Sequence, residues 1–145
     1  MLELDLATAN RIIETAISIA RRENHLPLTF CVVDKGGHMV ALQREDNSST
    51  FRMEIAYGKA WTCIALGHST HFVEKTMTKN RPHFVDSLAA ASNGKFIPAL
   101  GGVLVRDRET GRIVGAVGAT GDSGENDEKV AVEAVEACGF HADLS

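Results

Sequence analysis

The residues of this chain best placed to do chemistry are a set of histidines, a lysine among apolar neighbours, and a glycine-rich acidic loop. His68 and His71 lie three residues apart, so on a helix they share a face and both could reach one metal, with His83 one short segment later. His68, His71 and His83 are therefore the metal-ligating candidates. The alternative is that His68-Ser69-Thr70-His71 is a polar, solvated helix start. A zinc hydrolase would need a third ligand and a base with clearer spacing than Glu74 offers. His38, beside Gly36-Gly37, reads as an edge-strand residue.

The acidic loop follows the run Gly115-Ala116-Val117-Gly118-Ala119-Thr120-Gly121 and continues through Asp122, Glu125, Asp127 and Glu128 into an apparent helix. Unpaired amides at a helix start can hold an anionic group, and glycines let a ligand approach the main chain. Three roles are open to it. The acids could bind a hard cation, although the spacing is not that of an EF-hand. They could simply favour the positive end of the helix dipole, at about 0.3–1 kcal/mol per charge. Or Thr120 and Gly121 could contact a ligand while Glu125 or Asp127 positions a proton or a water. Gly115, Gly118 and Gly121 do not make a dinucleotide fingerprint, because they fall inside a strand pattern with the wrong spacing.

Two cations could meet a carboxylate. Arg44 ends a strand before a polar loop, and Lys59 sits on an otherwise apolar helix, where an unpaired charge would be costly to bury. The alternative for Lys59 is to snorkel to the surface or to pair with Glu54 or Asp127. The ligand-binding candidates are thus Arg44, Lys59, Gly102, Thr120, Gly121 and Glu125, and the catalytic candidates are Lys59, Glu125 and Asp127. No nucleophile elbow or activated thiol is marked.

Apolar spacing indicates the elements that must carry these residues. Leu6, Ala9, Ile13, Ala16, Ile17 and Ala20 make an amphipathic helix capped by Asp5 or Thr8. Residues 28–33 and 38–44 form a hairpin about Asp34-Lys35-Gly36-Gly37. A helix covers 51–66, shorter helices cover about 69–77 and 82–91, a second hairpin joins 100–106 to 112–119, and a final helix covers 126–138. The order α-β-β-α-α-β-β-α, with connections too short for parallel crossovers, predicts an α/β chain of the α+β type, with a mainly antiparallel sheet of four or five strands covered by helices.

Composition removes several classes of function. At 145 residues, 44% hydrophobic and 23% charged, the chain is expected to form one domain over 1–145. A net charge of -4, with Lys and Arg scattered, lacks the footprint of a nucleic-acid or anionic-membrane binder. There is no apolar run of the ~20 residues that cross a bilayer, and Met1-Leu2-Glu3-Leu4-Asp5 is acidic where a secretory signal is basic, so a cytoplasmic location is expected. Cys31, Cys63 and Cys138 are far apart in apolar segments, which suits structural thiols.

Four collinear blocks carry a resemblance. They are Asp34-Lys35-Gly36-Gly37-His38-Met39-Val40 with Arg44-Glu45-Asp46; Ile55-Ala56-Tyr57-Gly58-Lys59-Ala60-Trp61-Thr62; Gly101-Gly102-Val103-Leu104-Val105; and Ile113 through Gly121 leading into Asn126-Asp127-Glu128. In that order they resemble the GlcG/HbpS-like family, and with it the C-terminal domain of PduO-type cobalamin adenosyltransferases. The resemblance implies a mainly antiparallel sheet, assembly into homo-oligomers and, for some members, haem binding or a part in haem degradation. It supplies no haem ligand that transfers to a numbered position.

Three functions are consistent with these features. One is a small-ligand-binding protein for haem or another carboxylate-bearing molecule, held in an oligomer. Another is a cofactor-independent isomerase or lyase acting on a carboxylated metabolite, with Lys59 or Arg44 holding the carboxylate and Glu125 or Asp127 moving the proton. The third is an accessory or assembly subunit without a ligand.

Overall fold

The computed structural model describes residues 4–145; the acidic amino end Met1-Leu2-Glu3 lies outside the described residues. Helix α1 (Leu6–Arg22) is capped by Asp5, whose carboxylate accepts from the Thr8 amide, and it ends on Arg21 and Arg22, which suit the negative end of its dipole. Strands β1 (Thr29–Asp34) and β2 (Met39–Arg44) form the first hairpin, and helix α2 (Arg52–Leu66) follows, closed by Gly67 in the left-handed region at φ 72°. Helix α3 (Thr70–Phe72), a π-helical segment (Val73–Met77) and α4 (Thr78–Asn80) run on without a break to Arg81, where Pro82 starts α5 (Pro82–Ala91).

The second hairpin is β3 (Gly102–Arg106) with β4 (Ile113–Thr120), followed by α6 (Gly124–Ala137) and a short β5 (His141–Asp143). The sheet order is β2-β1-β4-β3-β5, and every neighbouring pair is antiparallel. This is the expected α+β architecture. Strand β5 lies beyond the last element read from the sequence: three residues with a single buried position carry no usable period. Helix α6 also begins two residues earlier than its apolar pattern, because Ser123 caps it by accepting from the Asn126 amide.

Alternate side chains of the central strands serve two buried layers, which is why β1, β3 and β4 read as continuous apolar runs. Phe30, Val32, Val103, Val105, Val117 and Ala119 pack with α1 and α6. Cys31, Val33, Leu104 and Ala116 pack under Ala56, Ala60 and Cys63 of α2. A smaller cluster of Val73, Val85 and Phe96 with Trp61 and Met77 holds the π-helical stretch and α5 against α2. Helix α2 lies unusually close to the sheet, since a Cβ on Gly118 would collide with the Ala56 carbonyl and the Ala60 amide.

Candidate ligand-binding site

The acidic loop and Lys59 meet inside the protein. Lys59 Nζ donates to the Ala119 carbonyl at 2.8 Å and lies 3.4 Å from Asp127 Oδ2, with both side chains almost wholly buried. Burial pulls the Lys59 ammonium down from its ordinary value and pushes the Asp127 carboxyl up, while their mutual attraction opposes both shifts. The other Asp127 oxygen accepts from the Asp122 amide at 2.9 Å. Every polar atom of the Asp127 carboxylate is thus spent on the protein, and the pair joins α2 to the start of α6.

The other loop candidates are similarly engaged. Thr120 is fully buried and its hydroxyl accepts from Arg52 Nη1 at 2.7 Å. Gly121, at φ 146°, packs so closely that a Cβ would strike the Pro27 carbonyl. The Gly102 amide donates to Thr70 Oγ1 at 2.7 Å. Arg44 Nη1 donates to the Ser48 carbonyl at 2.7 Å, while Glu125 is exposed on the first turn of α6. Lys59, Thr120 and Asp127 are therefore gathered around the β4–α6 junction, Gly102 is tied to α3, and Arg44 and Glu125 face outward.

The three histidines separate. His71 Nδ1 lies 2.8 Å from Glu128 Oε1, tying α3 to α6. His83 is exposed on α5. His68 stacks on Phe72, with centroids 4.1 Å apart and planes 20° from parallel. Among the described residues no group of three or more His, Cys, Asp or Glu side chains is arranged to hold a metal, and His68 and His71 take separate partners. The physical reason lies in the chain geometry: His68 precedes the helix, and Ser69 caps it by accepting from the Phe72 amide, which turns His68 and His71 in different directions.

His68 instead lines an open pocket of about 350 Å³ along the π-helical stretch. Its walls are Leu66, Phe72 and Met77, with Thr76, Asn80 and Arg81 supplying polar groups. The Nδ1 of His68 is buried and has no hydrogen-bond partner among the described residues, a cost that a protein interior normally avoids. Arg81 lies over the Phe84 ring at 4.2 Å. π-Helical turns widen a helix by one residue and often accompany functional sites. Spacing in the sequence marks His68 but not Phe72, Met77 or Arg81; the Arg81-Pro82 break is the one signal near them, since the π-turn leaves none.

A family model described as "Haem degrading protein HbpS-like" matches residues 4–136. The chain belongs to the HbpS-like family. A relative from Citrobacter freundii, an uncharacterized 15.0 kDa protein in the dhaT-dhaS intergenic region, is 28% identical over an alignment covering 72% of this chain and 84% of the relative. Among solved structures, Klebsiella pneumoniae ORFY is 26% identical with a TM-score of 0.82, covering 95% of this HbpS-like chain and 92% of the other. PduOC in complex with haem superposes with a TM-score of 0.85 at 22% identity, covering 98% and 99% of the two chains. HbpS itself superposes with a TM-score of 0.75 at 23% identity, covering 94% and 90%. The last two likenesses concern the fold. No helix among the described residues of this HbpS-like protein is long and apolar enough to cross a membrane.

Proposed function

We propose that this HbpS-like protein is a small-ligand-binding protein whose ligand is haem, seated against His68 in the pocket of the π-helical stretch. The observation that carries the reading is the His68 imidazole, which has a buried, unpartnered ring nitrogen among Leu66, Phe72 and Met77. Haem needs an apolar slot, an iron ligand and a partner for its propionates. His68 would ligate the iron, Phe72 and Met77 would line the macrocycle, and Arg81 would pair with a propionate. A bound haem would contribute redox-active iron, and the protein contributes the ligand, the walls and the exclusion of water from one face.

Membership of a family described by haem degradation, and the likeness in fold to PduOC in its haem complex, support this choice of ligand. An open pocket of about 350 Å³ covers only part of a macrocycle, so the ligand's exposed edge is expected to face a second subunit of a homo-oligomer. The isomerase or lyase reading is weaker, because Lys59 and Asp127 are 4% and 2% exposed and already satisfy each other.

The test is a haem titration followed by absorbance, using wild type and the single variants His68→Ala, His71→Ala and His83→Ala. A saturable, stoichiometric Soret shift is expected in wild type and in the His71 and His83 variants, and its loss is expected in His68→Ala. A non-saturating response in wild type, or a His68 variant that titrates like wild type, overturns the assignment.

A further inference from the structure

His25 does not line the His68 pocket and lies instead against the β4–α6 loop. It occupies the connection between α1 and β1, and its side chain is only 9% exposed. Its Nε2 is buried without a hydrogen bond among the described residues, although Glu23 Oε2 stands 3.4 Å away in poor alignment. Its Nδ1 is 3.7 Å from Asp122 Oδ2, too far for a hydrogen bond but well within range of a charge. The same Asp122 oxygen accepts from the Leu26 amide at 2.8 Å, so the residue after His25 is already pinned to the β4–α6 loop.

We infer that His25 is a proton-operated latch between the α1–β1 connection and the loop that starts α6. A neutral imidazole carries a single N–H and can donate to only one of the two carboxylates. Protonation makes both ring nitrogens donors and sets a positive charge between Glu23 and Asp122, on opposite sides of the ring. Closing on both acids then draws the end of α1 toward the start of α6, whose first turns hold Asp127 and Glu128.

Arg22 Nη2 is 3.5 Å from Glu23 Oε1, and Lys129 Nζ of α6 is 3.8 Å from Glu23 Oε2. Both cations are mostly exposed and reach Glu23 from the solvent side, so they weaken its pull on His25 without replacing it. Arg21 donates to the His25 carbonyl at 2.7 Å and pairs with Glu45 at the end of β2, while Arg22 also reaches Glu133 at 3.7 Å. Among the described residues His25 is the one cation paired with Asp122, which is held by the Leu26, Ser123 and Asn126 N–H groups. The inference does not depend on what ligand the His68 pocket takes.

The decisive experiment is amide hydrogen exchange by NMR on the whole chain between about pH 5 and 8, corrected for intrinsic rates, with the His25 ring signals followed in the same samples. Protection of the Leu26 amide is expected to rise several-fold as His25 gains its proton, with a midpoint that tracks the ring signals. In His25→Gln the protection is expected to be independent of pH over this range. A wild-type Leu26 amide indifferent to His25 titration overturns the latch, as does a His25→Gln variant that keeps the same pH dependence. The wild-type comparison stands by itself should the variant fold poorly.

Discussion

Lys59 Nζ on α2 and Asp127 Oδ2 on α6 approach to 3.4 Å across the end of β4, with the Ala119 carbonyl 2.8 Å from the same ammonium. Two helices that pack on opposite faces of one sheet are thereby joined through a charge pair at the sheet's end. Removing one partner leaves the other charge buried, which costs about 3–5 kcal/mol. Lys59→Met and Asp127→Asn are each expected to lose that much in urea unfolding, with Asn keeping an oxygen for the Asp122 amide. The double variant should lose clearly less than the sum, because neither charge remains; strict additivity would show that the two groups do not depend on each other.

Acid below pH 3.8 should loosen the α1–β1 connection. The Leu26 amide, the Asn126 side chain and the Ser123 amide hold Asp122 at about 2, below the ordinary 3.8. A carboxyl whose folded value is depressed stabilises the fold fully above its unfolded value, and that contribution disappears as pH falls through the folded one. Wild type is therefore expected to lose stability from Asp122 between pH 3.8 and about 2. Asp122→Asn should show a shallower fall in that interval, read from urea midpoints at stepped pH. Parallel pH profiles for the two proteins would refute the assignment.

The hairpins and the covering helices are legible in the sequence because α1 shows a clean helical period and the turns carry Gly36-Gly37 and Thr110-Gly111. The sequence offers Glu54 or Asp127 as a partner for Lys59, since a lysine amid apolar residues needs an acid. The consequence of pairing with Asp127 is not legible there: the contact that explains Lys59, with the Asp122 amide, engages both oxygens of Asp127. The separation of His68 from His71 depends on Ser69 capping the helix between them, a boundary shift of one residue that spacing arguments do not resolve. Strand β5 and the His25 latch rest on contacts between distant segments, with Leu104 opposite Asp143 and His25 near Asp122. Such contacts follow from tertiary packing and leave no local pattern.

The seating of α2 on the sheet gives a sharp steric test. A methyl group at Gly118 has no space between β4 and the backbone of Ala56 and Ala60. Backbone cannot yield as a side-chain tip can, so Gly118→Ala is expected to cost about 1–3 kcal/mol through displacement of α2. Trp61, the single tryptophan, lies on that helix and reports the change by fluorescence during urea unfolding. An unchanged midpoint would mean that α2 can lift from the sheet without loss.

Thiol reactivity should divide the cysteines. Burial pushes both Cys31 and Cys63 up to about 12, leaving little thiolate at neutral pH, and both are wholly enclosed. Cys138 is only half-buried, with Thr15 Oγ1 3.6 Å from its sulfur. Labelling of the native protein with a thiol reagent at pH 8 is expected to modify Cys138 alone, with Cys31 and Cys63 reacting after denaturation. Rapid modification of Cys31 or Cys63 in the native state would show that the layer under α2 opens readily.

Arg81 separates the two halves of the proposed haem site. It lies at the mouth of the His68 pocket, at the break between α4 and α5, and its guanidinium stacks on Phe84. A propionate paired with it would be exposed, so the pair supplies modest energy, and Arg81→Ala is expected to weaken haem binding by about tenfold, or 1.4 kcal/mol. Because Arg81 does not ligate iron in this arrangement, the absorption spectrum of the saturated variant should match wild type. The His68 variant should instead lose the spectrum of the ligated form. If Arg81→Ala alters the spectrum at saturation and leaves affinity unchanged, the carboxylates of the ligand point elsewhere and the orientation proposed for the macrocycle is wrong.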